Sequence, residues 1–582
     1  MFVEDKVNTK VETSLMINGN QIKTAKSAKY LGIILDKHLN FEEHISSRRE
    51  KAKKAVNLIS ILKGTGFFKY NSNSAKLIVK SLVESKMLYG RELLPDCTEL
   101  TKSYKLIASC YKKAFFLPKF TEYKSTFAFA GLLPPEDTTT LLRQSFIARK
   151  CAMSESKVKD MFIKYRTYGH IPIGHKNRNK VKNFGIIKRT HYEFNKINFD
   201  FNDIKQQSRT DILYDYIKPK IFTDLTEKIK KGETSESDCL KLFKDVEKQI
   251  VNDEKYNPLV IFTDASRKDN ELTGQAETGV GIVAYHKTNK IQHFSSSIKL
   301  NDNLSIASAE AYAIKYSLEK IINIIKAKND KENNLEHLIQ LNLKHHLKLL
   351  KENETIYIFS DSLSALTMIK NPDFLGSRFD IINDIFDSIK TLYHQFKITI
   401  KLIWIPSHVG IPGNEEADRL ANEALINPTG QNKIGLGFKE AKAILRKNIK
   451  RSWTNRWQEY VRLKAPTPKS LITNPIRKKA ITVSPKTIKR NRLLMNSPLF
   501  KVDKQKICQA CNTPLSVQHL LLECKLLEDA RERFILNSIH HIPPEHRPTF
   551  KLELSNFLDP ELKSPQLNLA LDFINNIKDI KI

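Results

Sequence analysis

The sequence predicts an α/β protein: a mixed five-stranded sheet with flanking helices, preceded by a mostly helical basic region and followed by helices and a small cysteine-rich segment. Three observations carry this. Leu259–Ser266, Val280–Tyr285 and Phe294–Ile298 are apolar or alternating runs spaced as an antiparallel meander. Ser308–Ile314 reads as the start of a helix after them. Two more apolar runs, Thr355–Ser360 and Ile398–Ile405, are each followed by a helical pattern, so the later half alternates strand and helix.

A chain of 582 residues has room for several domains and a large core. Its 41% apolar and 27% charged content is that of a globular protein. No apolar run reaches about 18 residues, so no membrane span is expected. The N-terminus has no charged-then-apolar leader, and an intracellular setting, nucleus or cytoplasm, is the expectation. A net charge of +32 and a pI near 9.6 point to polyanionic partners, above all nucleic acid. Four of the seven cysteines, Cys97, Cys110, Cys151 and Cys239, stand alone as buried thiols, which excludes a disulfide framework.

In chain order, Ser14–Ile22 carries an Asn18-Gly19 turn between apolar flanks, the mark of a hairpin, and Lys29–Asp36 follows as another strand. From Phe41 the period becomes helical: Ile45, Ala52, Val56, Ile59 and Leu62 form one stripe, with Arg48, Arg49, Lys51, Lys53 and Lys54 on the other faces. A second helix is expected over 74–88, and 151–254 reads as a basic helical connection. These first 150 or so residues resemble the end of the palm and the thumb of a non-LTR retrotransposon reverse transcriptase, on the hairpin, "KYLGIILD", "LNFEEHI" and the basic helices after it. That family's polymerase needs an Asp-Asp pair and an earlier Asp to hold its ions, and both would precede this segment; no polymerase activity is expected from this polypeptide.

Between 255 and 427 the acids matter most. Asp264 closes the first apolar run, Glu310 opens the helix, and Asp361 follows the fourth run. The fifth run leads into Trp404–Asp418, a turn punctuated by Pro406, Gly410, Pro412 and Gly413. A helix is expected to start there at Asn414, with Glu415, Glu416 and Asp418 in its first turn. Any one of these acids is ordinary as a solvated or capping residue, and Glu415 and Glu416 read so. Four at strand ends or helix starts, in elements that an α/β sheet brings to one mouth, make a site. Cleaving a phosphodiester calls for an activated water, neutralised nonbridging oxygens and a stabilised leaving oxygen; clustered carboxylates can hold the two divalent cations that meet all three needs.

The motifs "FTDAS", "AEAYAI", "FSDSLSAL" and "WIPSHVGIPGNEEAD" resemble the type 1 ribonuclease H domain of retroelements, and the element order resembles its fold. The resemblance makes Asp264, Glu310, Asp361 and Asp418 the four ligands of two Mg²⁺ ions, with Mn²⁺ as a substitute. It makes His408 the histidine of the preceding loop, which relays a proton or helps product leave. It implies endonucleolytic hydrolysis of the RNA strand of an RNA–DNA hybrid, read through its 2′-hydroxyls. Ser266, Asn303, Ser362 and Asn414 are its candidates for hydroxyl or phosphate contacts. The chain departs from the pattern at Ile325–Glu354, a Lys/Asn/Glu-rich insertion in which Leu338, Leu341, Leu343, Leu347 and Leu350 suggest an extra helix. Acids and bases nearly balance over 255–427, so the positive excess lies in the flanks, which would supply affinity for nucleic-acid backbones.

After a helical and basic linker (428–504), with Ile444, Ile449, Trp453, Trp457 and Tyr460 as a packing stripe, comes Cys508-x2-Cys511-x7-His519-x4-Cys524. Three thiolates and an imidazole satisfy tetrahedral, structural Zn²⁺. With "QHLLLEC" and Arg531, the segment 505–535 resembles the zinc knuckle that follows ribonuclease H in jockey-type non-LTR elements, and 536–582 reads as a helical tail. The expected function is thus a metal-dependent hybrid ribonuclease within a retrotransposon polyprotein. The alternatives are a nucleic-acid-binding remnant that cuts nothing and a transposase-type integrase, the latter disfavoured by the "HVGIPGNEEAD" loop. Oligomeric state is not legible.

Overall fold

The computed structural model describes residues 15–17, 20–22, 25–36, 40–69, 72–95, 97–153, 221–225, 234–253, 258–269, 276–286, 291–300, 303–329, 354–372, 378–463, 507–514 and 517–540, with scattered single residues elsewhere. Most of the basic connection, the Leu-rich part of the 325–354 insertion, nearly all of the linker after 463 and most of the tail lie outside the described residues. The chain forms two compact units, one of residues 145–165 and 194–445, the other of 1–144, 166–193 and 446–582.

The first unit is built on a sheet. Its strands are β1 (Ile221–Phe222), β2 (Leu259–Asp269), β3 (Ala276–His286), β4 (Ile291–Leu300), β5 (Thr355–Ser360), β6 (Thr399–Trp404) and β7 (Gly430–Asn432), in the order β7-β4-β3-β2-β5-β6-β1. β2, β3 and β4 pair antiparallel, as the meander predicts; β5 joins β2 and β6 joins β5 in parallel. The five expected strands are present in a mixed sheet. The two edge strands β1 and β7 are additions, two and three residues long, too short to carry a period in sequence.

Alternation explains why both faces are covered. Leu259, Ile261, Ile356 and Ile358 point to one core, while Val260, Phe262, Tyr357 and Phe359 point to the other. The first core lies under α2 (Ile306–Asn329), α3 (Leu363–Lys370) and α4 (Phe379–Phe396); the second lies under α1 (Glu236–Asp253) and α5 (Pro412–Glu423). At one end of α4, Arg378 is buried between Asp380 (2.7 Å) and Glu440 (3.0 Å). Glu440 in turn accepts from the amides of Ser305 and Gly437.

The seat of α5 is set by glycines. A Cβ at Gly281 would lie 1.9 Å from the Ala417 carbonyl, one at Gly279 2.4 Å from the Ala421 carbonyl, and one at Gly413 2.3 Å from the Phe262 ring. Only bare backbone on β3 lets the helix come this close. α5 begins at Pro412, with Pro in its first turn, so Asn414 lies inside the helix and is buried instead of capping it as expected.

The other unit packs around one apolar core that draws on both ends of the chain. Leu15–Ile17 pairs with Asn20–Ile22 and Ser27–Tyr30 with Ile33–Asp36, both antiparallel; in the second hairpin Leu31 and Gly32 have φ of +46° and +81°. Ile45, Ala52 and Ile59 of helix Glu42–Gly64 are buried as the stripe predicts. The helix expected over 74–88 is broken into Ser72–Ile78 and Ser85–Met87 around a π turn, Val79–Glu84. Trp453 and Trp457 enter this core from Phe438–Leu463. The Trp457 indole donates to the Ile472 carbonyl (2.8 Å), and Arg456 pairs with Asp137 (2.5 Å). The tryptophans are packing residues.

Substituting Gly281→Ala drives a Cβ into the Ala417 carbonyl of α5. Denaturant unfolding is expected to show a loss on the order of 1–3 kcal/mol; an unchanged midpoint would mean the helix slides without penalty.

Candidate functional site

Register brings the first two acids together. β2 and β5 are paired through Thr263 and Ser360, so the next residues, Asp264 and Asp361, sit side by side where β5 ends. β2 itself does not end at Asp264 as the apolar run suggests. It continues to Asp269, paired with β3, and Asp264 faces Gly281 there. Glu310 comes in from the second turn of α2. Its Oε1 accepts from the Ala265 amide (3.1 Å), which also donates to Asp264 Oδ1 (2.7 Å). One ligand atom from each of Asp264, Glu310 and Asp361 lies within 4.8 Å of the others.

These carboxylates are largely out of water, Asp264 with 7% and Glu310 with 3% of their surface exposed. Burial first, then the charge of Asp361, pushes the Asp264 carboxyl up to about 7. Burial and the charges of Asp264 and Asp361 put Glu310 well above the usual carboxylate range. Asp361 is raised as well, chiefly by burial, against the opposing pull of the Asn414 amide and of His408. Glu310 Oε2 is buried without a hydrogen-bond partner. Three converging acids, one with a buried bare oxygen, are a donor set that suits a hard divalent cation, and such a cation would reverse the electrostatics.

Asp418 stands apart from this close group. It is half-buried on α5, and its charge is felt at both Asp264 and Asp361, but its Oδ1 accepts from Asn422 Nδ2 (2.9 Å). His408 is exposed in the loop before α5 with φ of +55°, and Gly410 beside it has φ of +79°. The backbone of Asp361 is fixed by the Trp404 indole, which donates to its carbonyl (3.0 Å).

The residues expected to touch substrate have other partners. Asn414 donates its amide to Asp361 Oδ2 (3.2 Å). Ser362 caps α3, accepting from the Ala365 amide (3.3 Å). Asn303, at φ +69°, donates its amide to the Ala276 carbonyl (2.9 Å) at the start of β3 and accepts from the Ala276 amide through Oδ1 (3.3 Å). Ser266 donates to Asn422 Oδ1 (2.6 Å). Sequence reading passed over Asn422; its position four residues after Asp418 on a helix was the available signal.

The cysteine cluster is also assembled. Cys508, Cys511, His519 and Cys524 each offer a ligand atom within 4.8 Å of the rest. The Cys508 and Cys524 sulfurs are 3.8 Å apart, the Lys525 amide points at Cys511 Sγ (3.4 Å), and Arg531 donates to the Cys524 carbonyl. Burial opposes ionisation of Cys508, yet hydrogen bonds from His519 and from the amides of Cys511 and Ala510 hold it below the usual thiol range. A short pairing of Ile507–Cys508 with Thr513–Pro514 forms the knuckle that turns Cys508 and Cys511 toward one point. The four donors suit a soft, tetrahedral ion.

The family model of RNase H matches residues 256–426, the stretch holding β2 to β6 and the four acids. This part of the chain is an RNase H domain. Solved structures similar to it include LC11-RNase H1, isolated from compost by a metagenomic approach, at 16% identity over 29% of this chain and 96% of that one, TM-score 0.20. The same enzyme in complex with an RNA/DNA hybrid matches at 17% identity over 29% and 96%, TM-score 0.20. RNase H1 of the archaeon Halobacterium salinarum matches at 15% identity over 29% and 97%, TM-score 0.19. No curated protein matches. No helix among the described residues is long and apolar enough to cross a membrane.

The raised Asp264 carboxyl has a consequence for stability. Its value of about 7 lies above that of an unfolded aspartate, about 3.9, so folding retains a proton and stability of the metal-free protein falls as pH rises from about 4 to 7. Asp264→Asn removes that loss. In EDTA the variant is expected to be more stable than wild type at pH 8, on the order of 2–4 kcal/mol, with the gap closing toward pH 4; a gap independent of pH, followed by thermal unfolding, would contradict the electrostatic account.

Proposed function

We propose that this protein is a divalent-metal-dependent endonuclease that hydrolyses the RNA strand of RNA–DNA hybrids. The observation that carries the reading is the convergence of Asp264, Glu310 and Asp361 from three separate elements inside the RNase H domain, with Glu310 Oε2 buried and without a hydrogen-bond partner. In this reading those three hold Mg²⁺, or Mn²⁺ in its place, with Asp418 completing the set. A bound pair of such ions supplies an activated water, charge neutralisation at the phosphate and a stabilised leaving oxygen.

The chain's own residues do the rest. The Ala265 amide orients Asp264 and Glu310 together, and the Asn414 amide turns Asp361 toward them. Burial on the apolar sheet keeps bulk water from screening the carboxylates. His408, exposed at the mouth on a loop bent through positive φ, is placed to exchange a proton with solvent as product leaves. The scissile bond gains water across P–O3′, leaving a 5′-phosphate on one fragment and a 3′-hydroxyl on the other.

The wider reading is a segment of a retrotransposon polyprotein of the non-LTR, jockey type. Its support is the order of parts: hairpins and basic helices, then the RNase H domain, then a Cys₃His cluster that would bind one structural Zn²⁺. The positive flanks would hold the nucleic-acid backbone while the nearly neutral RNase H domain cuts.

With Mg²⁺ the purified protein is expected to nick the RNA strand of a labelled hybrid and leave duplex DNA intact. Asp361→Asn should lower that rate by at least about a hundredfold, since removing a ligand removes the site rather than trimming it; a rate within a few-fold of wild type would sink the mechanism. Metal analysis should find about one zinc per chain, lost together with stability in Cys511→Ser; retention of zinc in that variant would count against the cluster.

A further inference from the structure

Asp418 is the one acid of the four that the close cluster does not include, and something holds it where it is. Asn422, one turn on, donates Nδ2 to Asp418 Oδ1 (2.9 Å) and to the Asp418 carbonyl (3.0 Å). Its Oδ1 accepts from the Ser266 hydroxyl (2.6 Å) on β2. A carboxylate only accepts, so the amide must present its nitrogen to Asp418 and its oxygen to Ser266; the amide's orientation is fixed by its two partners.

The spacing of helix and strand produces this bridge. Asp264 is level with Gly281 and Ser266 with Gly279. The carbonyl of Ala417 lies over Gly281 and that of Ala421 over Gly279. Two residues of strand and four of helix each advance about 6 Å. The turn carrying Asp418 therefore lies beside Asp264, and the turn carrying Asn422 beside Ser266. The bridge ties α5 to the same strand that bears Asp264.

We propose that Asn422, anchored by Ser266, is a positioning residue that fixes one oxygen of Asp418 and leaves the other facing the three clustered acids. This rests on the nuclease reading above and deepens it. It gives Ser266 a task inside the protein that does not require contact with the hybrid. Partners of this kind hold a ligand's orientation before the ion arrives, and losing one typically weakens metal affinity 10–100-fold.

The test is calorimetric titration of Mn²⁺ into the zinc-replete full-length protein without nucleic acid, alongside unfolding in EDTA. Asn422→Ala should weaken Mn²⁺ binding about tenfold, or about 1.4 kcal/mol, and Ser266→Ala should weaken it about threefold. Neither should change the melting temperature in EDTA, because Asn422 is exposed and Ser266 only half-buried. Hybrid cleavage by Asn422→Ala should need correspondingly more metal but reach the wild-type rate when saturated. Wild-type Mn²⁺ affinity in Asn422→Ala, with binding still abolished by Asp264→Asn, would overturn the role of Asn422 and leave the nuclease reading standing. A wild-type protein that neither binds Mn²⁺ nor cuts a hybrid would overturn both.

Discussion

Like charges forced together out of water are the constraint around which the sheet unit is arranged. Asp264, Glu310 and Asp361 could not be buried so close in an otherwise relaxed fold, because each loses hydration and gains repulsion. The surrounding structure over-determines them. Strand pairing fixes Asp264 and Asp361, a helix buried along one side fixes Glu310, and shared backbone and amide donors offset part of the repulsion. Without a cation their carboxyls are pushed up toward the protonated form; a bound cation would reverse that and could take them as ligands. The same cluster is therefore a liability for stability and the source of the proposed activity.

Holding such a cluster requires a rigid frame, and the apolar sheet supplies it. Both faces are covered, with Phe243 and Phe262 packed on Phe359 from one side and the isoleucines of α2 and α4 on the other. The glycines of β3 then decide how near α5 can approach. Asp418 is within electrostatic reach of Asp264 because Gly279 and Gly281 present no Cβ to the helix. Its distance from the other acids is thus a matter of backbone packing more than of side-chain choice.

The helical unit follows a different logic. Its core joins residues from the first 130 positions with Trp453, Trp457, Cys508 and Cys524, so no single stretch of sequence closes it. Two of the cluster's thiols are themselves core residues, and an ion bound there would act on folding as well as on the knuckle. The buried tryptophans, read as packing in sequence, are part of the same core.

Much of this was legible in the chain alone. Apolar or alternating runs marked all five long strands, the stripe of Ile45, Ala52 and Ile59 marked a buried helix face, and the spacing of Cys508, Cys511, His519 and Cys524 marked a cluster of converging donors. Such patterns are local, because period and short spacing are properties of neighbouring residues. The acids too were visible one at a time. What tertiary structure decided was their relation: that Asp264 lies mid-strand beside Asp361, that Asn414 is buried against that acid instead of capping a helix, and that Asn422 and Ser266 clasp Asp418. Register between strands and the approach of a helix to a sheet depend on contacts far apart in the chain, and no local period encodes them.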